Sequence, residues 1–125
     1  MIEKGPGEGL NMNDFGKTKE VLIKVKELFQ QLLFILETEG DFEVNYAKTE
    51  LAKNIRVLEG FLGEKMDAAA AQEVLDHIKK SFKSMYPPRG GLSDFFVWRE
   101  DFEERLQANQ SLDEIQSELR AILGD

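Results

Sequence analysis

Four carboxylates fall within five residues at Glu100, Asp101, Glu103 and Glu104. Acids alone can carry proton-transfer chemistry when one of a pair is held protonated. On a helix, Glu100 shares a face with both Glu103 and Glu104, and like charges at that spacing repel by about 0.3 kcal/mol per pair. Arg99 and Arg105 flank the group and offer partial relief. Three readings follow: a solvated helix face, a docking patch for a basic protein, and a divalent-cation or carboxylate-catalysis site. For the last, nothing beside the acids suggests a raised pKa or a substrate pocket.

Other chemistry lacks its parts. The chain has one histidine, His77, and no cysteine. A catalytic zinc centre draws on several imidazoles, and helical di-iron centres need two Glu-x-x-His units. Glu73 precedes His77 by four residues rather than three, and no second unit exists, so His77 reads as a structural or surface residue. The stretch Pro87-Pro88-Arg89-Gly90-Gly91 lacks the Lys-Ser/Thr pair and the preceding strand of a phosphate-binding loop. No Gly-x-Ser-x-Gly elbow is present. The expectation is a protein that is not an enzyme, with no cofactor and no metal.

The acids follow an unusual stretch. Phe95, Phe96, Val97 and Trp98 are four bulky residues in a row, more than one helix face can bury. Either the Pro-Gly loop folds back over them, or one or two aromatics lie exposed beside the acids. In the second case Tyr86, Arg89 and Trp98 are residue types that anchor protein interfaces. The candidate partner-binding set is therefore Tyr86, Arg89, Trp98, Glu100, Asp101, Glu103 and Glu104.

The elements that must position this set are helical. Residues 1–13 are Gly-rich and aperiodic, which suggests a flexible tail ahead of a single domain over 14–125. From about Asp14, Val21, Val25, Leu28, Leu32, Ile35 and Leu36 line one helix face, with Phe29, Leu33 and Phe34 widening it, up to a stop at Gly40. A second helix over 41–63 turns Val44, Ala47, Leu51, Ile55 and Leu58 inward. Asp67 caps a third, whose apolar face is Val74, Leu75, Ile78 and Phe82 and whose last turns carry Lys79, Lys80 and Lys83. The two prolines end it. Ser93 or Asp94 is then expected to cap a fourth helix, with Phe95, Phe96, Trp98, Phe102 and Leu106 available for packing and Asn109 at its end. Ser111 and Glu114 form a capping box for a short fifth helix with Ile115, Leu119, Ile122 and Leu123 inward. The fold class is all-α, an antiparallel bundle of four main helices plus a short C-terminal fifth.

Charge narrows the partners. The net charge is −8, and residues 93–125 hold nine acids and three arginines, a net of −6. Such a field repels nucleic acid and anionic membrane and draws basic proteins inward, although an acidic surface also serves solubility alone. No apolar stretch reaches the roughly 20 residues that span a bilayer, and the start lacks the apolar region of a secretory signal. A cytoplasmic protein is expected.

Two long helices leading into a Gly-Gly turn, then a small polar residue, Asp and an apolar cluster, form a pattern carried here by Gly90, Gly91, Ser93, Asp94, Phe95 and Phe96. This resembles the small acidic helical immunity proteins of bacterial contact-dependent or polymorphic toxin systems, over residues 14–108 at most. The resemblance implies a module that binds a cognate toxin domain and blocks it stoichiometrically, and it carries over no toxin-contact residue. Electrostatic steering of a basic nuclease is consistent with the acidic C-terminal quarter. Two other classes remain open: a regulatory or adaptor homodimer that buries the spare aromatics, and a small-ligand binder with a pocket of Trp98 and Phe side chains.

Overall fold

Helix α1 spans Met12–Glu39 and is the axis of the molecule, packing against each of the other three helices. The computed structural model describes residues 12–63 and 67–124, with side chains from residue 17 onward. The first eleven residues of the expected tail lie outside that range, and its last two, Met12 and Asn13, already belong to α1. Leu22, Val25, Leu28, Phe29, Leu32 and Leu36 recur at three- and four-residue spacing and are all buried. Phe34 does not widen this stripe as expected, being 66% exposed. Nine residues on from Val25, at about 100° each, it points to the opposite side.

Gly40 closes α1 by donating its N–H to the Leu36 carbonyl at 2.8 Å. A Cβ there would sit 2.5 Å from Val44 Cγ2 and 2.7 Å from Leu36 O, so the tight corner needs glycine. The second helix begins later than its sequence suggests. Asp41 Oδ1 accepts from the Glu43 N–H at 2.9 Å and organises a 3₁₀ turn over Phe42–Val44. Helix α2 follows over Asn45–Leu62, burying Ala47, Leu51, Asn54, Ile55, Leu58 and Phe61. Helix α3, Ala68–Ser84, starts as expected at Asp67, whose carboxylate accepts from the Ala70 N–H at 2.8 Å. Phe82 reaches across to stack with Phe29 at 6.2 Å between ring centres.

A polar ladder joins α2 to α3. Asn54 Nδ2 donates to Ser81 Oγ at 2.8 Å, and Ser81 Oγ donates to Glu50 Oε1 at 2.6 Å. Tyr46 and Ser84 share a hydroxyl hydrogen bond at 2.9 Å. The Ser81 hydroxyl, aided by Lys53, holds the Glu50 carboxyl below its ordinary pKa despite partial burial. A pKa depressed by folding contributes stability above the unfolded carboxylate range, and that stability is lost as pH falls through the folded value. Ser81→Ala should therefore cost roughly 2 kcal/mol at pH 7, because Asn54 loses its buried acceptor and Glu50 its donor. Urea unfolding should show that cost shrinking below about pH 4; a cost independent of pH would exclude the Glu50 contribution.

The C-terminal third departs most from expectation. No helix starts at Ser93 or Asp94. Their side chains instead tie the corner: Ser93 Oγ donates to the Pro87 carbonyl, and Asp94 Oδ2 accepts from the Gly90 N–H. A 3₁₀ turn covers Gly91–Ser93, a non-helical segment follows, and α4 runs unbroken over Phe102–Leu123. The expected fourth and fifth helices are one helix. Neither proline nor glycine interrupts 102–123, so a good helix start at Ser111 is overrun by propagation from Phe102. Leu112, Gln116, Leu119 and Leu123 form its buried face.

Among the described residues there are four α-helices and no strand. Lys24, midway along α1, meets Glu118 in the last third of α4 at 3.7 Å, while Glu39 at the end of α1 meets Arg99 just before α4. No described helix is long and apolar enough to cross a membrane.

Candidate functional site

Between the Pro-Gly corner and α4, residues 94–101 form a strap laid across the end of α1. Burial along it alternates: Phe95 is half-buried, Phe96 is 60% exposed, Val97 is buried and Trp98 is 64% exposed. Period-two alternation belongs to extended chain, where successive side chains point to opposite sides. This resolves the surplus of bulky residues: Val97 enters the core and the corner does not cover Phe96 or Trp98.

Two side chains pin the strap. Asn109, expected to end a helix, sits inside α4 and projects its amide onto Val97. Its Oδ1 accepts from the Val97 N–H at 2.8 Å and its Nδ2 donates to the Val97 carbonyl at 2.8 Å, so one amide takes both backbone groups of that residue. The same Nδ2 donates to the Arg105 carbonyl at 2.8 Å. Arg99 forks onto Glu39, Nη1 to Oε1 at 2.5 Å and Nη2 to Oε2 at 2.6 Å, and this contact holds the Glu39 carboxyl below its ordinary pKa. Arg105 Nη1 donates to the Arg99 carbonyl at 3.0 Å. Sequence reasoning missed Asn109 and Glu39, because both act through a partner far away in the chain.

The pinned strap presents an apolar cluster to solvent. Arg105 Cζ lies 4.5 Å from the centre of the Trp98 ring and 5.5 Å from that of Phe102, so the two rings flank one guanidinium. Phe102 and Leu106, available for packing by their place in the sequence, are 62% and 59% exposed. They lie roughly 80° and 120° around the helix from buried Leu112. A depression of 270 Å³ opens beside Phe96 and Trp98, with Asp41 and Glu43 on its far wall.

The acids are divided between local and free roles. Asp101 is the N-cap of α4, its Oδ2 accepting from the Glu104 N–H at 2.9 Å. Glu103 and Glu104 stand exposed in the first turn, where the helix dipole favours negative charge. Glu100 is also exposed. Part of the acid density therefore reflects how α4 begins.

Tyr86 lies apart from this cluster. Its ring packs edge-on to Phe82 at 5.1 Å, Arg120 covers it at 5.2 Å, and its hydroxyl donates to Gln116 Oε1. Burial pushes its pKa up to about 12 against the opposing pull of Arg120, so the phenol stays a donor. Arg89 is exposed on the corner and His77 on α3. Among the described residues no three His, Asp or Glu side chains gather as a metal site. Trp98 thus lies on the segment that leads into α4, where Glu100, Glu103 and Glu104 are also exposed, with Arg105 against its ring, and Tyr86 belongs to the helix packing. No protein-family model, curated protein or solved structure matches this chain.

Proposed function

We propose that this chain is a non-catalytic protein-binding module that captures a basic partner, acting as an immunity protein that neutralises a cognate toxin domain. One observation carries the reading: Phe96 and Trp98 are exposed on a strap that Asn109 and Arg99 hold in place, and Phe102 and Leu106 are exposed on the adjoining turns of α4, in a segment that also carries the exposed Glu100, Glu103 and Glu104. An aromatic anchor fixed before binding loses little conformational entropy when a partner covers it. Surrounding carboxylates speed the encounter with a cationic surface and select against acidic ones. The scaffold that goes with this reading is an antiparallel packing of α1 with α4 and of α2 with α3, supported by the Lys24–Glu118 and Tyr46–Ser84 contacts.

Affinity purification from the native organism, followed by mass spectrometry, tests the reading. A basic protein should co-elute at one-to-one stoichiometry, its toxic activity should be blocked at that ratio, and Trp98→Ser with Phe102→Ser should abolish capture. Co-elution that ignores those two substitutions overturns it. Glu100→Lys with Glu104→Lys should lower the melting temperature only modestly, since both side chains are exposed and only the favourable first-turn charge of Glu104 is lost, while slowing association at least tenfold at low salt. An unchanged association rate would remove the acids from the binding role.

A further inference from the structure

The apolar cluster does not end at Leu106. Phe102, Leu106, Asn109, Gln110, Asp113 and Ser117 fall on one stripe of α4 at three- and four-residue spacing, flanked by Glu114 and Glu118. An open space of about 760 Å³ lies along this face from Leu106 to Glu118, bounded among the described residues by α4 alone. From Phe102 to Glu118 the rise is about 24 Å at 1.5 Å per residue, or between four and five helical turns. One end of the track is apolar and the other is acidic. Of the acids on it, Glu118 is shared with Lys24 across 3.7 Å, whereas Asp113 and Glu114 have no ion-pair partner among the described residues.

We infer that this track receives a cationic amphipathic helix of the partner protein, laid along α4. Its apolar residues meet Trp98, Phe102 and Leu106, and its Lys or Arg residues run over Asp113, Glu114 and Glu118. Charge complementarity selects this occupant. A second copy of the chain laid parallel would set acids against acids, and one laid antiparallel, like a neutral helix, would leave Asp113 and Glu114 desolvated without partners. A face of four to five turns with apolar anchors at one end and carboxylates at the other suits recognition of a helix by its side-chain pattern. This inference rests on the protein-binding reading above and adds the partner's chemistry and the direction of its path.

Trp98 is the only tryptophan and stands at the apolar end, so its emission reports occupancy. The probe is a synthetic helix of about 18 residues with Leu on one face and Lys on its flank, long enough to cover the track. It should shift Trp98 emission saturably at one-to-one stoichiometry. Asp113→Lys with Glu114→Lys should weaken it at least tenfold, and so should Leu106→Ser. A scrambled peptide of identical composition should bind at least tenfold more weakly than the ordered one. Equal binding of scrambled and ordered peptides, or indifference to the Asp113 and Glu114 reversals, overturns the inference, as does sedimentation showing the track buried between two copies. If the native partner is lost with Trp98→Ser and Phe102→Ser but unaffected by the Asp113 and Glu114 reversals, the protein-binding reading stands and the helix-track inference falls.

Discussion

Asn109→Leu is expected to lower the unfolding free energy by roughly 3 kcal/mol, although the substitution keeps the side chain's heavy-atom count and branching and sits in a helix that favours leucine. The cost arises because a single amide satisfies the N–H and the carbonyl of Val97 and adds a bond to the Arg105 carbonyl. Val97 itself is buried at 2% exposure, so its backbone groups cannot all regain water without lifting the strap. Each such bond contributes about 1 kcal/mol net, and a buried backbone group left unpaired costs more. Ser111→Ala supplies the contrast. A serine capping a helix start would lose about 1 kcal/mol, but Ser111 is an exposed residue inside continuous α4 and its loss should shift the midpoint by less than about 0.5 kcal/mol. Urea denaturation followed by circular dichroism measures both. Near-equal midpoints for the two variants would mean that Asn109 does not hold the strap.

The same pair of residues shows how far the sequence could be read. The α1 stripe and the Asp67 cap were legible because their signals are local: apolar spacing for one, a carboxylate three residues ahead of its amide for the other. Ser111 with Glu114 is an equally good local signal, yet α4 passes straight through it, because a continuing helix adds bonds without a new nucleation cost. Asn109 looked like a stop signal and proves to be a long-range clamp; its partner lies twelve residues back. The exposed cluster was half legible. Four bulky residues in a row announced that some could not be buried, but only an extended strap, pinned from elsewhere, determines that Phe96 and Trp98 face out while Val97 faces in. The Glu50–Ser81–Asn54 ladder joins residues some thirty positions apart and left no pattern in either helix alone.

Gly91→Val should destabilise the fold by roughly 4 kcal/mol, from two costs that add. Gly91 has φ of +55°, a left-handed conformation that a β-branched residue adopts only under strain of order 1–3 kcal/mol. A Cβ at this position would also lie 2.9 Å from both Met85 O and Pro87 Cδ. Neither can yield cheaply, since the Met85 carbonyl accepts from the Leu92 N–H at 3.0 Å and Met85 and Leu92 are both buried. Gly90→Ala separates the two costs. Gly90 also has positive φ, +77° with ψ of −166°, but a Cβ there meets nothing within 4 Å. It should therefore cost only the backbone strain, roughly 2 kcal/mol. Displacing the corner also displaces the strap that leaves it at Asp94, so Gly91→Val should weaken partner capture even at temperatures where the helices remain folded. Gly90→Ala should retain it. Thermal melts and binding measured side by side decide the point: if the two variants melt together and bind alike, the contact with Met85 and Pro87 does not set the geometry of the aromatic face.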